Sequence, residues 1–248
     1  MEYDRHLFRE KDMKYKNITY AKFIDRKNRF IAHVEIDGKI ETVHVKNTGR
    51  CKELLLPESN VILTKIDNKT RKTQYDLVSV YKDGLGWVNI DSQAPNQVVK
   101  EWLNNQSSLF KNITLLKPEY TYGKSRMDFY LECDFRKILI EVKGCTLEID
   151  NVGYFPDAPT ERGVKHLYEL AGAVEKGYEC YLAFVIAMPG VQKVLPNVKT
   201  HPEFGKALEE AIEAGVKVIY FPCNVLPDEL SISDIVISDK QLICFQNP

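Results

Sequence analysis

The spacing of apolar residues changes once along the chain, near Ser92, and that change constrains the fold more than any other feature. Before it, apolar and polar residues alternate in short runs, the mark of half-buried strands. Asn28 to Ile36 puts Phe30, Ala32, Val34 and Ile36 on one face and Ile31, His33 and Glu35 on the other. Asp37-Gly38 is a hairpin signal, with Lys39 to Val45 as the return strand. Further strands are expected at Asn60–Ile66, Tyr75–Tyr81 and Leu85–Ile90. Five or six short strands without a helix predict a small β-barrel of the oligonucleotide-binding (OB) kind.

After Ser92 the spacing becomes helical. Asn96 to Asn104 gathers Val98, Val99, Trp102 and Leu103 on one face, with Pro95 near the start. Strands follow at Ile113–Tyr120, Arg126–Glu132 and Lys137–Leu147, then a loop and a helix from about Pro159 to Lys176. Asp157 is its expected N-cap and Gly177 its C′ residue, and Val164, Leu167, Ala171 and Val174 form its expected buried stripe. Tyr178–Ala187 reads as a covered strand, Glu203–Ala214 as a helix and Val216–Phe221 as a strand. Leu230–Ile237 and Gln241–Phe245 are candidate edge strands. The predicted architecture is therefore mixed and two-domain. Residues 1–90 form an OB-like, nucleic-acid-binding barrel, and residues 91–248 an α/β domain around a central mixed sheet.

Charge divides along the same line. Residues 1–83 hold 18 Lys and Arg against 13 Asp and Glu, whereas residues 84–248 hold 16 against 22, so a net charge of −1 conceals a basic first third. Such a split suits one module that meets phosphates and another that holds cations. The longest apolar run, Cys180 to Met188, is far shorter than the ~20 residues a membrane helix needs. The charged N-terminus is unlike a signal peptide, so a cytoplasmic protein without a membrane partner is expected. Six cysteines, with no C-x-x-C pair, read as reduced and mostly buried thiols.

The stretch R-M-D-F-Y-L-E-C-D-F-R-K-I-L-I-E-V-K-G, from Arg126 to Gly144, carries the chemistry. On the last strand Ile138, Ile140 and Val142 face one way while Leu139, Glu141 and Lys143 face the other. A hairpin through Cys133–Arg136 would bring Asp128 to the same face. Two carboxylates there form a hard oxygen site suited to Mg²⁺ or Mn²⁺, and the carbonyl of Val142 offers a further ligand. Lys143 can orient a water or stabilise charge on a phosphoryl group. The bland alternative is a functionally silent Glu–Lys pair on a half-exposed strand. For a further acidic ligand Glu119, near the end of the strand 113–120, is the neighbour-strand candidate, and it reads equally as a solvated surface residue.

Asp128 with Glu141-Val142-Lys143, in α-β-β-β-α-β order, resembles the PD-(D/E)XK nuclease superfamily and its restriction-enzyme-like fold, with Met127 where a proline often stands. For the further acidic ligand this resemblance implies Glu101, on the first helix, which reads equally as a solvated surface residue. The segments R-F-I-A-H-V, H-V-K-N-T-G, G-K-S-R-M-D-F and G-Y-F-P-D-A-P-T-E-R-G-V-K-H-L resemble the sugar fermentation stimulation protein A family, from about residue 15 to about residue 222. That resemblance implies a DNA-binding protein with an OB-like first domain and a nuclease-like second one. It leaves open whether DNA is cut by a Mg²⁺- or Mn²⁺-dependent phosphodiesterase centre or only bound by a transcriptional regulator. Ser125 and Arg126 are expected at the scissile-side phosphate, and Arg162, Lys165 and His166 on the helix bordering the substrate. On the barrel, Asn47 and Arg50 in N-T-G-R-C-K, and Lys69, Arg71 and Lys72 in N-K-T-R-K-T, are the expected backbone contacts, with Gly49 allowing close approach. The loop Tyr154–Asp157 is read either as an aromatic wedge or as a hydrophobic staple. With no G-x-x-x-x-G-K-[ST], no nucleotide cofactor is expected. Strandedness, DNA against RNA, endo- against exonucleolytic action and oligomeric state, a homodimer included, stay open.

Overall fold

The computed structural model describes residues 13–47, 49–68, 70–105 and 109–238. The expected contact Lys69 and the candidate strand 241–245 lie outside the described residues.

The first strands are β1 (Met13–Lys14), β2 (Ile18–Asn28), β3 (Ile31–Ile36), β4 (Lys39–Val45), β5 (Asn60–Lys65), β6 (Tyr75–Lys82) and β7 (Gly86–Asn89). Six of them pair in the order β4-β3-β2-β5-β6-β7. A parallel contact between β4 and β6, His44 opposite Asp76 and Val45 opposite Leu77, closes β2 to β6 into a five-stranded ring. That circuit is the OB barrel. Asp37 and Gly38 both have positive φ (49° and 74°), the backbone a two-residue type I′ hairpin requires. The long strand β2 was not expected from the sequence. Its ladder slips at Phe23/Asp25 and at Arg26/Asn28, and each bulge breaks the alternation by which a strand is recognised. Met13–Lys14 stays out of the barrel and pairs with β16 (Glu229–Ile232) at the edge of the second sheet.

The second unit begins with α1 (Ala94–Asn105), followed by β8 (Ile113–Tyr122), β9 (Ser125–Cys133) and β10 (Arg136–Cys145). The β9–β10 turn runs through Asp134 and Phe135, both at positive φ. Two short strands, β11 (Leu147–Ile149) and β12 (Val152–Phe155), precede α2 (Glu161–Val174). Then come β13 (Glu179–Ile186), β14 (Val194–Pro196), α3 (Pro202–Glu213), β15 (Lys217–Leu226), β16 and β17 (Val236–Ile237). The main sheet runs β1-β16-β15-β13-β10-β9-β8, with β17 on β15. β10, β13 and β15 are parallel and β8, β9 and β10 antiparallel, so the sheet is mixed. β11, β12 and β14 form a separate small sheet, too short in each strand to show a period in sequence.

Helices cover both faces, which is why the parallel strands are mostly apolar, Glu141 and Lys143 on β10 being the interior exceptions. On one face α1 buries Val98, Val99, Trp102 and Leu103 beside Phe129, Leu131, Ile138, Ile140 and Phe221. On the other, α2 and α3 bury Leu167, Leu170, Phe204 and Leu208 beside Leu139, Leu182 and Phe184. The start of α2 differs from expectation. Thr160 is its N-cap, accepting from the N–H of Gly163 at 3.1 Å, and Asp157 is engaged elsewhere. Its buried face is Gly163, His166, Leu167, Leu170 and Ala173, one step round from the expected stripe, because His166 has a partner inside the sheet. Gly177 sits at φ +85°, as the C-terminal turn requires. The described cysteines are buried and unbonded. No helix among the described residues is long and apolar enough to cross a membrane.

At the end of β10 the sheet meets α1 closely. A Cβ on Gly144 would lie 2.8 Å from Cγ of Pro95. Gly144→Ala is therefore expected to cost about 1–3 kcal/mol through overpacking, read as a lower urea midpoint with an unchanged slope.

Candidate metal centre

The β9–β10 ladder ends where Ile140 faces Phe129. Beyond that point the carboxylate of Asp128 replaces the missing rung: Oδ2 accepts the N–H of Val142 at 2.7 Å. Its other oxygen, Oδ1, accepts from Nδ2 of Asn96 on α1 at 2.7 Å. Sheet and helix together thus aim Asp128, beside Glu141. No local spacing points to Asn96, because a helix and a strand 32 residues apart meet only in the fold.

Glu141 is only 2% exposed. Its Oε1 is held by the ammonium of Lys143 from the same strand and by Nδ1 of His166 from α2. Its Oε2 is buried and has no hydrogen-bond partner among the described residues. Nε of Arg162, one turn earlier on α2, donates to Nε2 of His166 at 3.3 Å. An arginine cannot accept a hydrogen bond, so Nε2 is the bare nitrogen and Nδ1 carries the proton that His166 gives to Glu141. Of the Lys and Arg side chains, only the ammonium of Lys143 is hydrogen-bonded to either carboxylate among the described residues.

The two carboxylates titrate in opposite directions. Burial pushes Asp128 above the ordinary range, and the charge of Glu141 adds to the rise, against Lys143, the Val142 N–H and Asn96. Burial also pushes Glu141 upward, but hydrogen bonds from His166 and Lys143 outweigh it and hold the group below the usual range. Glu141 is thus stabilised as an anion, and Asp128 is an anion short of positive charge.

Divalent-metal chemistry fits this donor set. An orphaned, buried carboxylate oxygen lies beside a second carboxylate that is charged at a cost. Among the described residues no group of three or more His, Cys, Asp and Glu side chains forms a complete cage. Oxygen donors of this kind suit a hard divalent cation that keeps some of its waters. Asp128, Oε2 of Glu141 and the carbonyl of Val142 are the groups that would hold the ion.

The other expected residues are placed as follows. Glu101 accepts from Gln97 on its own helix at 3.2 Å, and the α1 side chain that reaches Asp128 is Asn96. Glu119 is largely exposed and pairs with Arg126 at 3.6 Å across the β8–β9 edge. Ser125 is buried, with no partner for its Oγ among the described residues. Lys165 is exposed; its Nζ bonds the carbonyl of Lys124 at 2.9 Å and lies 3.7 Å from Glu169. His166 is buried behind Glu141, so it is not a DNA contact as expected.

On the barrel, Arg71 is committed to Asp76, with contacts of 2.6 and 3.3 Å, which draws its charge away from a phosphate-binding role. Lys72 and Arg50 are exposed. Asn47 is a structural residue: it donates to the carbonyl of Ile90 at 2.8 Å and accepts from the N–H of Gly49 at 2.6 Å. Arg26, which sequence reasoning missed, holds this loop from beneath. Its Nη1 donates to the carbonyls of Gly49 (2.9 Å) and Arg50 (2.8 Å), and its Nη2 to those of Arg29 and Asn47 (both 2.7 Å). The N–H of Arg50 donates to Oδ2 of Asp157 at 2.9 Å, tying the barrel to the start of α2. Gly49 does allow a close approach, but to Asp157, whose Oδ2 would lie 2.5 Å from an added Cβ. Phe155 packs on Phe184 and Phe204, so its ring belongs to the core and is no wedge. A cleft of about 350 Å³ lies along this junction, walled by Gly49, Asp91, Pro95, Gly144 and Asp157. None of Asp128, Glu141 and Lys143 is among the residues that wall it.

Known proteins resemble the chain in both halves. The family model described as the SfsA N-terminal OB domain matches residues 24–90, and the one described as the sugar fermentation stimulation protein RE domain matches residues 93–229. The sugar fermentation stimulation protein homolog of Clostridium beijerinckii is 53% identical over 224 residues, 90% of this chain and 98% of that one. The homolog of Desulfitobacterium hafniense is 52% identical over 224 residues, 90% and 97% of the two chains. Among solved structures, Pyrococcus furiosus SfsA in complex with Ca²⁺ superposes with a TM-score of 0.83 at 27% identity, covering 91% of this chain and 98% of that one.

Proposed function

The chain belongs to the sugar fermentation stimulation protein family, and from that membership and the geometry of its second domain we propose that it is a DNA-binding protein with a divalent-metal-dependent phosphodiesterase centre. The observation that carries this reading is Glu141: a buried carboxylate stabilised as an anion, one oxygen held by Lys143 and His166, the other without a partner among the described residues, and its charge felt by Asp128. Burying two carboxylates with one ammonium is unfavourable unless a cation completes the set. The Ca²⁺ in the Pyrococcus furiosus relative is consistent with such a cation, since Ca²⁺ and Mg²⁺ share a preference for oxygen ligands.

A bound Mg²⁺ or Mn²⁺ would polarise the phosphodiester and activate a water. Lys143 would lie against the reacting phosphate, its ammonium pre-set by Glu141. Asn96 and the Val142 N–H would keep Asp128 aimed without waiting for substrate. Arg50 and Lys72 on the barrel, with Arg126 and Lys165 on the second domain, would hold the DNA backbone. Purified protein is expected to nick plasmid or single-stranded DNA in Mn²⁺ or Mg²⁺, and Lys143→Ala to bind as tightly but nick at least ~100-fold more slowly. Binding by wild type without any cleavage would remove the enzyme from the proposal.

One observation favours a second reading, a regulator that binds without cutting. Both oxygens of Asp128 already accept protein hydrogen bonds, so this carboxylate is satisfied without metal. The same plasmid experiment separates the two readings.

The barrel contacts are tested by salt dependence. Arg50→Ala with Lys72→Ala is expected to flatten the slope of log affinity against log salt by about 2, uniformly across sequences. Arg71→Ala should instead lower stability, because it strips the nearly buried Asp76 of its main partner.

A further inference from the structure

We propose that Arg162 and His166 are a positioning pair for Glu141: Arg162 holds the imidazole so that its Nδ1–H pins Oε1, and Oε2 alone is presented to a metal ion. The inference rests on the reading of Glu141 as a ligand, and it goes beyond that reading by assigning two residues on a different element to the orientation of the carboxylate.

Three observations carry it. His166 is only 3% exposed, so water cannot replace its hydrogen bonds. Its two ring nitrogens are used in opposite senses, one facing Glu141 and the other facing a group that can only donate. Without Arg162, Nε2 would lose its partner and the ring would be held by the Nδ1–H bond to Glu141 alone. Arg162 is itself exposed, and its Nε alone serves the histidine. The i, i+4 spacing on α2 sets the two side chains on one face, and Thr160, capping α2 through Gly163, fixes where that face begins. An imidazole that donates its N–H to a carboxylate ligand orients that ligand as a carboxylate orients a ligating histidine.

The experiment has two independent readouts on the full chain. Nitrogen-15 NMR of the metal-free protein reads the His166 tautomer; the expected result is a protonated Nδ1 and a bare Nε2, and a protonated Nε2 would overturn the relay whether or not the protein binds metal. Mn²⁺ affinity, measured by calorimetry, is expected to fall about 10–100-fold in His166→Phe and to recover to within about threefold in His166→Asn, whose amide can donate from near the Nδ1 position. Arg162→Met, at an exposed site that does not threaten folding, is expected to loosen the ring and weaken Mn²⁺ less than the Phe variant does. Unchanged Mn²⁺ affinity in folded His166→Phe, or in Arg162→Met, contradicts the pairing. Equal losses in the Phe and Asn variants would reduce His166 to packing. A wild type that binds no Mn²⁺ yet shows protonated Nδ1 would instead overturn the metal reading and leave the relay intact.

Discussion

Asp128→Asn is expected to fold about 1 kcal/mol more stably than the parent chain in the absence of divalent metal, and to lose the metal-dependent activity. The carboxylate is ionised in a place that raises its pKa, first through burial and then through the charge of Glu141. A group whose folded pKa is raised contributes stability at low pH and loses it as pH rises through that value, so at neutral pH its charge is a liability. An amide removes the liability and keeps an acceptor for the Val142 N–H, and Asn96 can turn its own amide to pair with it. Glu141→Ala is expected to do the opposite and cost about 3–5 kcal/mol, because it leaves a mostly buried ammonium and a buried imidazole donor without their acceptor. Urea unfolding of the two variants, with and without Mn²⁺, reads both. Wild type should gain stability with Mn²⁺ and Asp128→Asn should not. Equal destabilisation by the two substitutions would mean that Asp128 is an ordinary structural carboxylate.

Arg26→Met is the second large effect, expected to cost about 3 kcal/mol and to weaken DNA binding at the same time. The guanidinium bonds four backbone carbonyls, three of them in the loop from Asn47 to Arg50. Methionine keeps the packing of the stem but leaves those carbonyls without their donor, and the loop loses the support that presents Arg50. Arg26→Lys should recover less than half of the loss, since a compact ammonium cannot span a fork of carbonyls that a planar guanidinium can. Chemical denaturation and DNA titration of both variants would check it. A Met variant with wild-type stability would show that the loop is held by Asn47 and Asp157 alone.

The parts of this architecture legible in sequence were those set by local spacing. Strand alternation alone put Glu141 and Lys143 on one face, and the short turn at Asp134–Phe135 made the partner strand's Asp128 a neighbour. The ring of short strands was legible for the same reason, except at β2, where two bulges hide an eleven-residue strand. What sequence could not show was which polar groups would find partners from distant elements. Arg162 and His166 are expected from sequence at the substrate border, but His166 turns inward, because the carboxylate that draws it lies twenty-five residues away on β10. Asn96 escaped for the same reason. Arg71 was read as a free cation although Asp76 follows it by five residues; the run R-K-T-Q-Y-D held a pairing signal that went unused. Asp157 looked like an N-cap by its place before the helix, yet Thr160 is nearer the first turn, and the carboxylate serves the barrel loop instead.

Anomalous scattering from crystals soaked in Mn²⁺ tests the central claim most directly. The expected result is one strong peak in contact with a carboxylate oxygen of Asp128, Oε2 of Glu141 and the carbonyl of Val142, absent from Asp128→Asn crystals treated alike. Manganese bound only at other residues, or no peak between these two carboxylates at a saturating concentration, would contradict it.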